Sequence, residues 1–225
     1  WRNAGFSIIA YDAGDIPDMP FDDVAAIITV QPGNPMGHIA PPDAWQNMLA
    51  KAAAHDVMVV MDEAFIDLMP ECSLVPHLGQ RGMVVIRSLG KFYGLAGLRL
   101  GGAIGHHDDM TALKRLMGPW PVSTLALKYG AVALADHAWA DDQRHWLAQR
   151  MNFLRQGLAQ RGVIIIGGCD LYCLIVVEDA AALHDRLARC GFWTRIFDYN
   201  PGWMRIGLAE DDSVMARFFA AWDAG

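Results

Sequence analysis

An α/β fold with a mostly parallel sheet, helices on both faces of that sheet and a smaller C-terminal α+β domain follows from three features of the sequence. Short runs rich in Val and Ile alternate with helix-period segments over the first half, the pattern of repeated strand–helix units. Those runs are apolar almost without interruption, which suits strands buried on both faces. Beyond residue 106 the order changes, first to successive helices and then to short strands mixed with helices.

Taken in order, residues 7–11, 25–30, 57–61, 83–87 and 100–104 read as strands. Between the second and third, Pro41 and Pro42 precede a run in which Trp45, Met48, Leu49 and Ala52 recur at helical spacing, so this run reads as the crossover helix. Residues 110–117, 123–135 and about 138–161 read as helices, the last of them amphipathic. After Gly162 the segments "VIIIGG", "LYCLIVV", "FWTRIF" and "MRIGL" read as strands, with a helix over 180–190 and a final helix ending near Trp222. The domain boundary is placed near residue 140, giving a large domain of 1–140 and a small one of 141–225.

Bulk composition narrows the partners. The chain has 225 residues, 53% of them hydrophobic and 19% charged, with a formal charge of -7 and a pI near 5.5. It carries no basic stripe on which a phosphate backbone could lie, so nucleic acid is excluded as a partner and a small molecule or another subunit is expected. Cys72, Cys169, Cys173 and Cys190 show neither a secreted disulfide spacing nor a zinc-ligand pattern, so reduced thiols, a cytoplasmic location and no metal are expected. No apolar run approaches the roughly 20 residues of a membrane helix. Trp1-Arg2-Asn3 has no initiator Met and no signal-peptide pattern, and the chain reads as truncated or partial.

Three segments could carry chemistry. In "QPGNPMGHI", residues 31–39, Asn34 brings an amide to a strand's carboxyl end, where open parallel sheets bind ligands; the segment also reads simply as a tight turn. In "VVMDEAFIDL", residues 59–68, Asp62 and Glu63 end an apolar strand. A desolvated carboxylate there needs a cation, either a protein side chain or a protonated ligand nitrogen, unless it only caps the next helix. In "IRSLGKFYGLAGLRLGG", residues 86–102, Ser88, Lys91 and Arg99 offer a hydroxyl, an amine and a guanidinium suited to holding a phosphate beside a nucleophilic nitrogen, although a single lysine is often a surface amine.

Two shorter motifs fail on inspection. Ser88-Leu89-Gly90-Lys91 satisfies Ser-x-x-Lys, but neither Ser-Asp-Asn nor Lys-Thr-Gly follows. Gly90-Lys91 is not a P-loop end, because Phe92 stands where Ser or Thr is required and Val85 where Gly is required.

The joint order Asn34-Pro-x-Gly, Asp62, Ser88-x-x-Lys91 and Arg99 resembles the fold type I pyridoxal-phosphate enzymes, the aspartate aminotransferase superfamily. The resemblance covers nearly the whole chain. The cofactor needs a lysine for its aldehyde, a carboxylate for its pyridinium nitrogen, a donor for its phenolic oxygen, and a hydroxyl with an arginine for its phosphate. By resemblance Lys91, Asp62, Asn34, and Ser88 with Arg99 take these roles. Phe65 stands where many relatives have a tyrosine that donates to the phenolic oxygen, which leaves Asn34 as donor.

The stretches "DEAFIDL", "RSLGKFYGLAGLRLG", "GPWPVSTLAL", "GGCDLYCL" and "TRIFDYNPGWMRIGLA" are most similar to the threonine-phosphate decarboxylase branch of cobalamin biosynthesis, a sister of the histidinol-phosphate aminotransferases. That resemblance implies loss of carbon dioxide from L-threonine O-3-phosphate to give aminopropanol phosphate. Histidinol-phosphate-type transamination and an inactive truncated fragment are the alternatives. It further implies a homodimer, Arg205 on the substrate carboxylate and Arg195 on the substrate phosphate. Each arginine has a structural alternative, pairing with Asp198 or with Glu210 and Asp211. Trp120 and Ser123 read as packing residues. Family members carry a long segment before the point matching Trp1, including a phosphate-binding turn and an aromatic that stacks on the ring, so the large domain is expected to lack its N-terminal part and to bind the cofactor weakly.

Overall fold

A computed structural model describes residues 1–11, 21–79 and 81–224. Its first sheet has the order β1-β2-β3-β4, with β1 at Ala26–Val30, β2 at Met58–Asp62, β3 at Met83–Ser88 and β4 at Gly101–Gly105. The first three strands run parallel and β4 returns antiparallel to β3. The sheet is therefore mostly parallel, in agreement with the sequence reading.

The crossover between β1 and β2 is α1, Pro42–Ala54, which opens on a proline in its first turn, where a missing N–H costs nothing. Its Trp45, Met48, Leu49 and Ala52 pack with Ile27, Val59, Met61, Met83 and Val85 in one core. Trp45 Nε1 donates to Gln31 Oε1 at 2.5 Å, and Gln31 Nε2 donates to the Cys72 carbonyl at 2.8 Å. The residue that leads out of β1 is thus tied to the crossover helix. On the opposite sheet face Ile28, Val30, Met58 and Ile86 are 39–42% exposed.

Residues 7–11 correct the sequence reading. They form no strand, and Ile8 and Ile9 are exposed. A strand needs a ladder partner for its backbone groups, and none of the described strands pairs with this segment.

Helices α2 (His107–Met117), α3 (Thr124–Ala135) and α4 (His137–Ala159) follow β4. No described helix is long and apolar enough to cross a membrane. The C-terminal sheet has the order β5-β6-β8-β7, all antiparallel, with β5 at Ile164–Cys169, β6 at Tyr172–Val176, β7 at Arg195–Phe197 and β8 at Asn200–Gly207. Two further helices, α5 (Ala180–Arg189) and α6 (Asp212–Asp223), start on aspartate caps: Asp179 Oδ1 accepts from Ala182 N–H, and Asp211 Oδ1 accepts from Val214 N–H. One face of this sheet buries Cys173, Ile175, Met204 and Ile206 against Met151, Leu154 and Leu158 of α4, Leu187 of α5 and Met215 and Phe218 of α6.

The chain divides into two compact units, one of residues 1–33 and 38–128 and the other of residues 34–37 and 129–225. The second unit takes in the four residues that begin with Asn34 by backbone contact. Gly168 N–H donates to the Met36 carbonyl at 2.8 Å, and a Cβ on Gly37 would lie 1.8 Å from the Gly168 carbonyl oxygen. Gly37 also has φ +72, a conformation that side chains resist. Gly37→Ala is expected to destabilise the protein by about 1–3 kcal/mol in urea unfolding. The control Gly102→Ala, with open space around its Cβ and no positive φ, stays within about 0.5 kcal/mol.

Candidate active site

Parallel register brings two chain ends of the first unit level with each other. Asp62, the last residue of β2, pairs with Val30 on one side and Ile86 on the other, two residues before Ser88 ends β3. The half-buried Asp62 accepts from Ala64 N–H at 2.9 Å through Oδ1, so it does cap the turn that follows. Among the described residues no cationic side chain lies within ion-pairing distance of it.

The cation at this end goes to the next carboxylate. Glu63 is fully buried: its Oε1 accepts from Leu74 N–H at 2.6 Å, its Oε2 accepts from the Ser73 hydroxyl at 2.7 Å, and Arg87 Nη1 lies 3.7 Å from Oε2. Arg87 Nη2 also donates to Asp67 Oδ1 at 2.5 Å. Burial pushes the Glu63 carboxyl pKa up, partly offset by the Leu74 amide, the Ser73 hydroxyl and Arg87. The sequence called for a cation at Asp62 and Glu63 but did not name Arg87, whose visible signal was its place directly before Ser88.

Ser88 ends β3, and Lys91 and Arg99 lie in the loop that leads from it to β4. The loop closes where Leu89 N–H donates to the Leu100 carbonyl at 3.2 Å, which places Ser88 and Arg99 next to the two residues of that bond. Inside it Leu95 N–H donates to Leu89 O and Gly94 N–H to Lys91 O. The Ser88 hydroxyl accepts from Gly90 N–H at 3.2 Å, and a Cβ on Gly90 would press on Ala96 Cα at 3.3 Å. Arg99 is exposed, takes the left-handed conformation at φ 52, and donates to the Ala96 carbonyl. The Lys91 side chain is exposed, with Nζ 5.5 Å from the centroid of the buried Phe65 ring. An apolar ring thus lies beside the amine.

The second unit holds the other candidates. Arg205 Nη1 donates to Asn34 Oδ1 at 2.7 Å, which leaves the amide NH2 of Asn34 as its donor end. The Arg205 guanidinium lies over the Tyr172 ring, 4.9 Å from its centroid. On the edge strand β7, Arg195 pairs in register with Arg205 and lies over the Phe197 ring at 5.8 Å. Neither arginine forms an ion pair with an acid among the described residues, so the pairings with Asp198, Glu210 or Asp211 do not form; Asp211 caps α6 instead. Two like charges directly opposite each other on neighbouring strands are unfavourable, and an anion bound between them would relieve this.

Trp120 corrects the packing expectation, since it is 92% exposed with φ 55, while the Ser123 hydroxyl accepts from Ala126 N–H at the start of α3.

Comparison with known proteins matches residues 13–221 to the family Aminotransferase class I and II. A threonine-phosphate decarboxylase of Pseudomonas aeruginosa is 36% identical over 225 residues, covering 98% of this chain and 66% of that protein. Histidinol-phosphate aminotransferase 1 of Idiomarina loihiensis is 31% identical over 205 residues, 87% of this chain and 56% of that protein. Among solved structures, histidinol-phosphate aminotransferase from Sinorhizobium meliloti in complex with pyridoxal-5'-phosphate superposes with a TM-score of 0.77 at 21% identity, covering 88% of this chain and 56% of that one. The chain thus spans 56–66% of the length of these relatives.

The buried Glu63 sets a pH dependence. Its raised pKa means that above the ordinary glutamate value of about 4.3 the folded protein retains a proton that the unfolded chain releases. Its contribution to stability is complete below that value and is lost as pH rises through the folded pKa. Glu63→Gln lacks this titration, so the unfolding free energy of the parent minus that of the variant, measured in urea from about pH 4 to neutrality, is expected to fall with rising pH. A difference that grows over this range would contradict burial as the dominant cause.

Proposed function

Since the chain belongs to the class I and II aminotransferase family, we propose that it binds pyridoxal phosphate and decarboxylates L-threonine O-3-phosphate to aminopropanol phosphate, in the synthesis of cobalamin. The observation that carries the cofactor reading is Asp62: a half-buried carboxylate at a strand's carboxyl end, with no cation paired to it among the described residues, beside a neighbour that pairs with Arg87. A protonated ring nitrogen is the partner that such a group lacks. The serine that ends β3 and the lysine and arginine of the β3–β4 loop match what the cofactor's aldehyde and phosphate require.

Bound pyridoxal phosphate supplies an electron sink for a bond broken at the substrate's alpha carbon. The Asp62 carboxylate holds a proton on the ring nitrogen. Ser88 and Arg99 hold the cofactor phosphate, and the Asn34 NH2 group donates to the phenolic oxygen. The Lys91 amine gives or takes a proton at the alpha carbon. Arg205 orients the substrate through its carboxylate and Arg195 through its phosphate, two anionic groups for two guanidiniums set opposite each other. The 36% identity to a threonine-phosphate decarboxylase favours this substrate over that of the aminotransferase, which stands as the second reading on its 31%. A homodimer in the cytoplasm is part of the same proposal.

Purified protein with added pyridoxal phosphate is expected to gain a visible absorption band, and borohydride to fix the cofactor on the peptide that carries Lys91. Lys91→Ala loses the fixed label and about 10²- to 10⁴-fold of activity; equal labelling of parent and variant would refute the assignment. Carbon dioxide released from threonine O-3-phosphate without any 2-oxo acid supports decarboxylation. Dependence on 2-oxoglutarate would assign the aminotransferase reaction instead.

A further inference from the structure

Arg205 can hold a carboxylate in a fixed direction only if its own flexible side chain is held, and its surroundings work against that. Arg195 stands directly opposite it on β7 and repels it, and no acid among the described residues anchors it. Two contacts do hold it: the hydrogen bond to Asn34 Oδ1, which restrains one end of the guanidinium, and the face of Tyr172, 4.9 Å from the guanidinium carbon.

The Tyr172 ring is itself fixed. It is buried at the start of β6, directly opposite Cys169 of β5, with Gly207 of β8 opposite on its other side. Burial, with the Cys169 thiol beside it, pushes the Tyr172 hydroxyl pKa up. Alternation along the strands puts Tyr172, Leu174 and Arg205 on one face of the sheet and Cys173, Ile175 and Met204 on the core face. The ring is therefore a rigid floor under the arginine, and its face attracts the cation while leaving the outward edge of the guanidinium to a ligand.

We infer that Tyr172 is a positioning residue that acts through Arg205: its ring face, and not its hydroxyl, holds the guanidinium in the orientation that receives the substrate carboxylate. This rests on the proposed role of Arg205, but the ring contact itself does not. A tyrosine in this place tunes the affinity for an anionic amino acid without touching the bond that reacts.

Two measurements on the full 225-residue chain with pyridoxal phosphate present test it. By NMR, the Arg205 Hδ and Hε protons are expected to be displaced upfield by the ring current, to remain so in Tyr172→Phe and to lose the displacement in Tyr172→Leu. By calorimetry, the dissociation constant for threonine O-3-phosphate is expected to stay within twofold in Tyr172→Phe and to rise roughly 3- to 30-fold in Tyr172→Leu. In turnover the Leu variant is expected to raise KM with kcat little changed. Absence of the upfield displacement in the parent, or equal weakening in the Phe and Leu variants, overturns the inference, and the first needs no variant to fold. If the displacement follows the ring as expected but the parent does not bind threonine O-3-phosphate, the positioning role stands and the proposed substrate falls.

Discussion

The buried carboxylate of Glu63 governs the carboxyl end of the first sheet. A fully desolvated acid is tolerated only with its oxygens satisfied, and here a backbone amide, a hydroxyl and a guanidinium do so. Each partner ties a different piece of chain to the end of β2: Leu74 and Ser73 fasten the loop that follows, and Arg87 fastens β3. Arg87 also reaches Asp67, so one cation spans two acids of the same loop. Because Asp62 immediately precedes Glu63 and Ser88 immediately follows Arg87, this network sets the backbone on which two candidate site residues stand. It also engages Arg87, and among the described residues no cation pairs with Asp62.

The second unit meets a comparable constraint with backbone rather than charge. Gly37 and Gly167 let residues 34–37 lie against β5 at a distance no side chain would permit. Asn34 is thereby brought within hydrogen-bond reach of Arg205, which stands in β8. Gly167 in "GGCDLYCL" thus has a use that only the packing of a distant segment reveals.

Much of this was legible in the sequence because it depends on local patterns. Unbroken Val and Ile runs located β1, β2 and β3, a proline pair marked the start of α1, and the residues Asn34, Asp62, Ser88, Lys91 and Arg99 fall at or just beyond strand ends or on one closed loop. What escaped depends on distant partners. Residues 7–11 have strand composition but no strand to pair with. Glu63 and Arg87 are separated by more than twenty residues, and only the β2–β3 register brings them together. Tyr172 looked like one more apolar strand residue until β8 placed Arg205 over its ring. Trp120, a large apolar side chain, lies in the irregular segment between α2 and α3 and is left in solvent.

The central claim is that Arg87 pairs with Glu63 and Asp67 while Asp62 remains for a protonated ring nitrogen. Pyridoxal phosphate labelled with ¹⁵N in the ring reports that proton directly through its nitrogen chemical shift. The account predicts the shift of a protonated pyridinium in the parent chain at neutral pH and of an unprotonated ring in Asp62→Asn. An unprotonated ring in the parent, or a protonated ring that persists in Asp62→Asn, would contradict it.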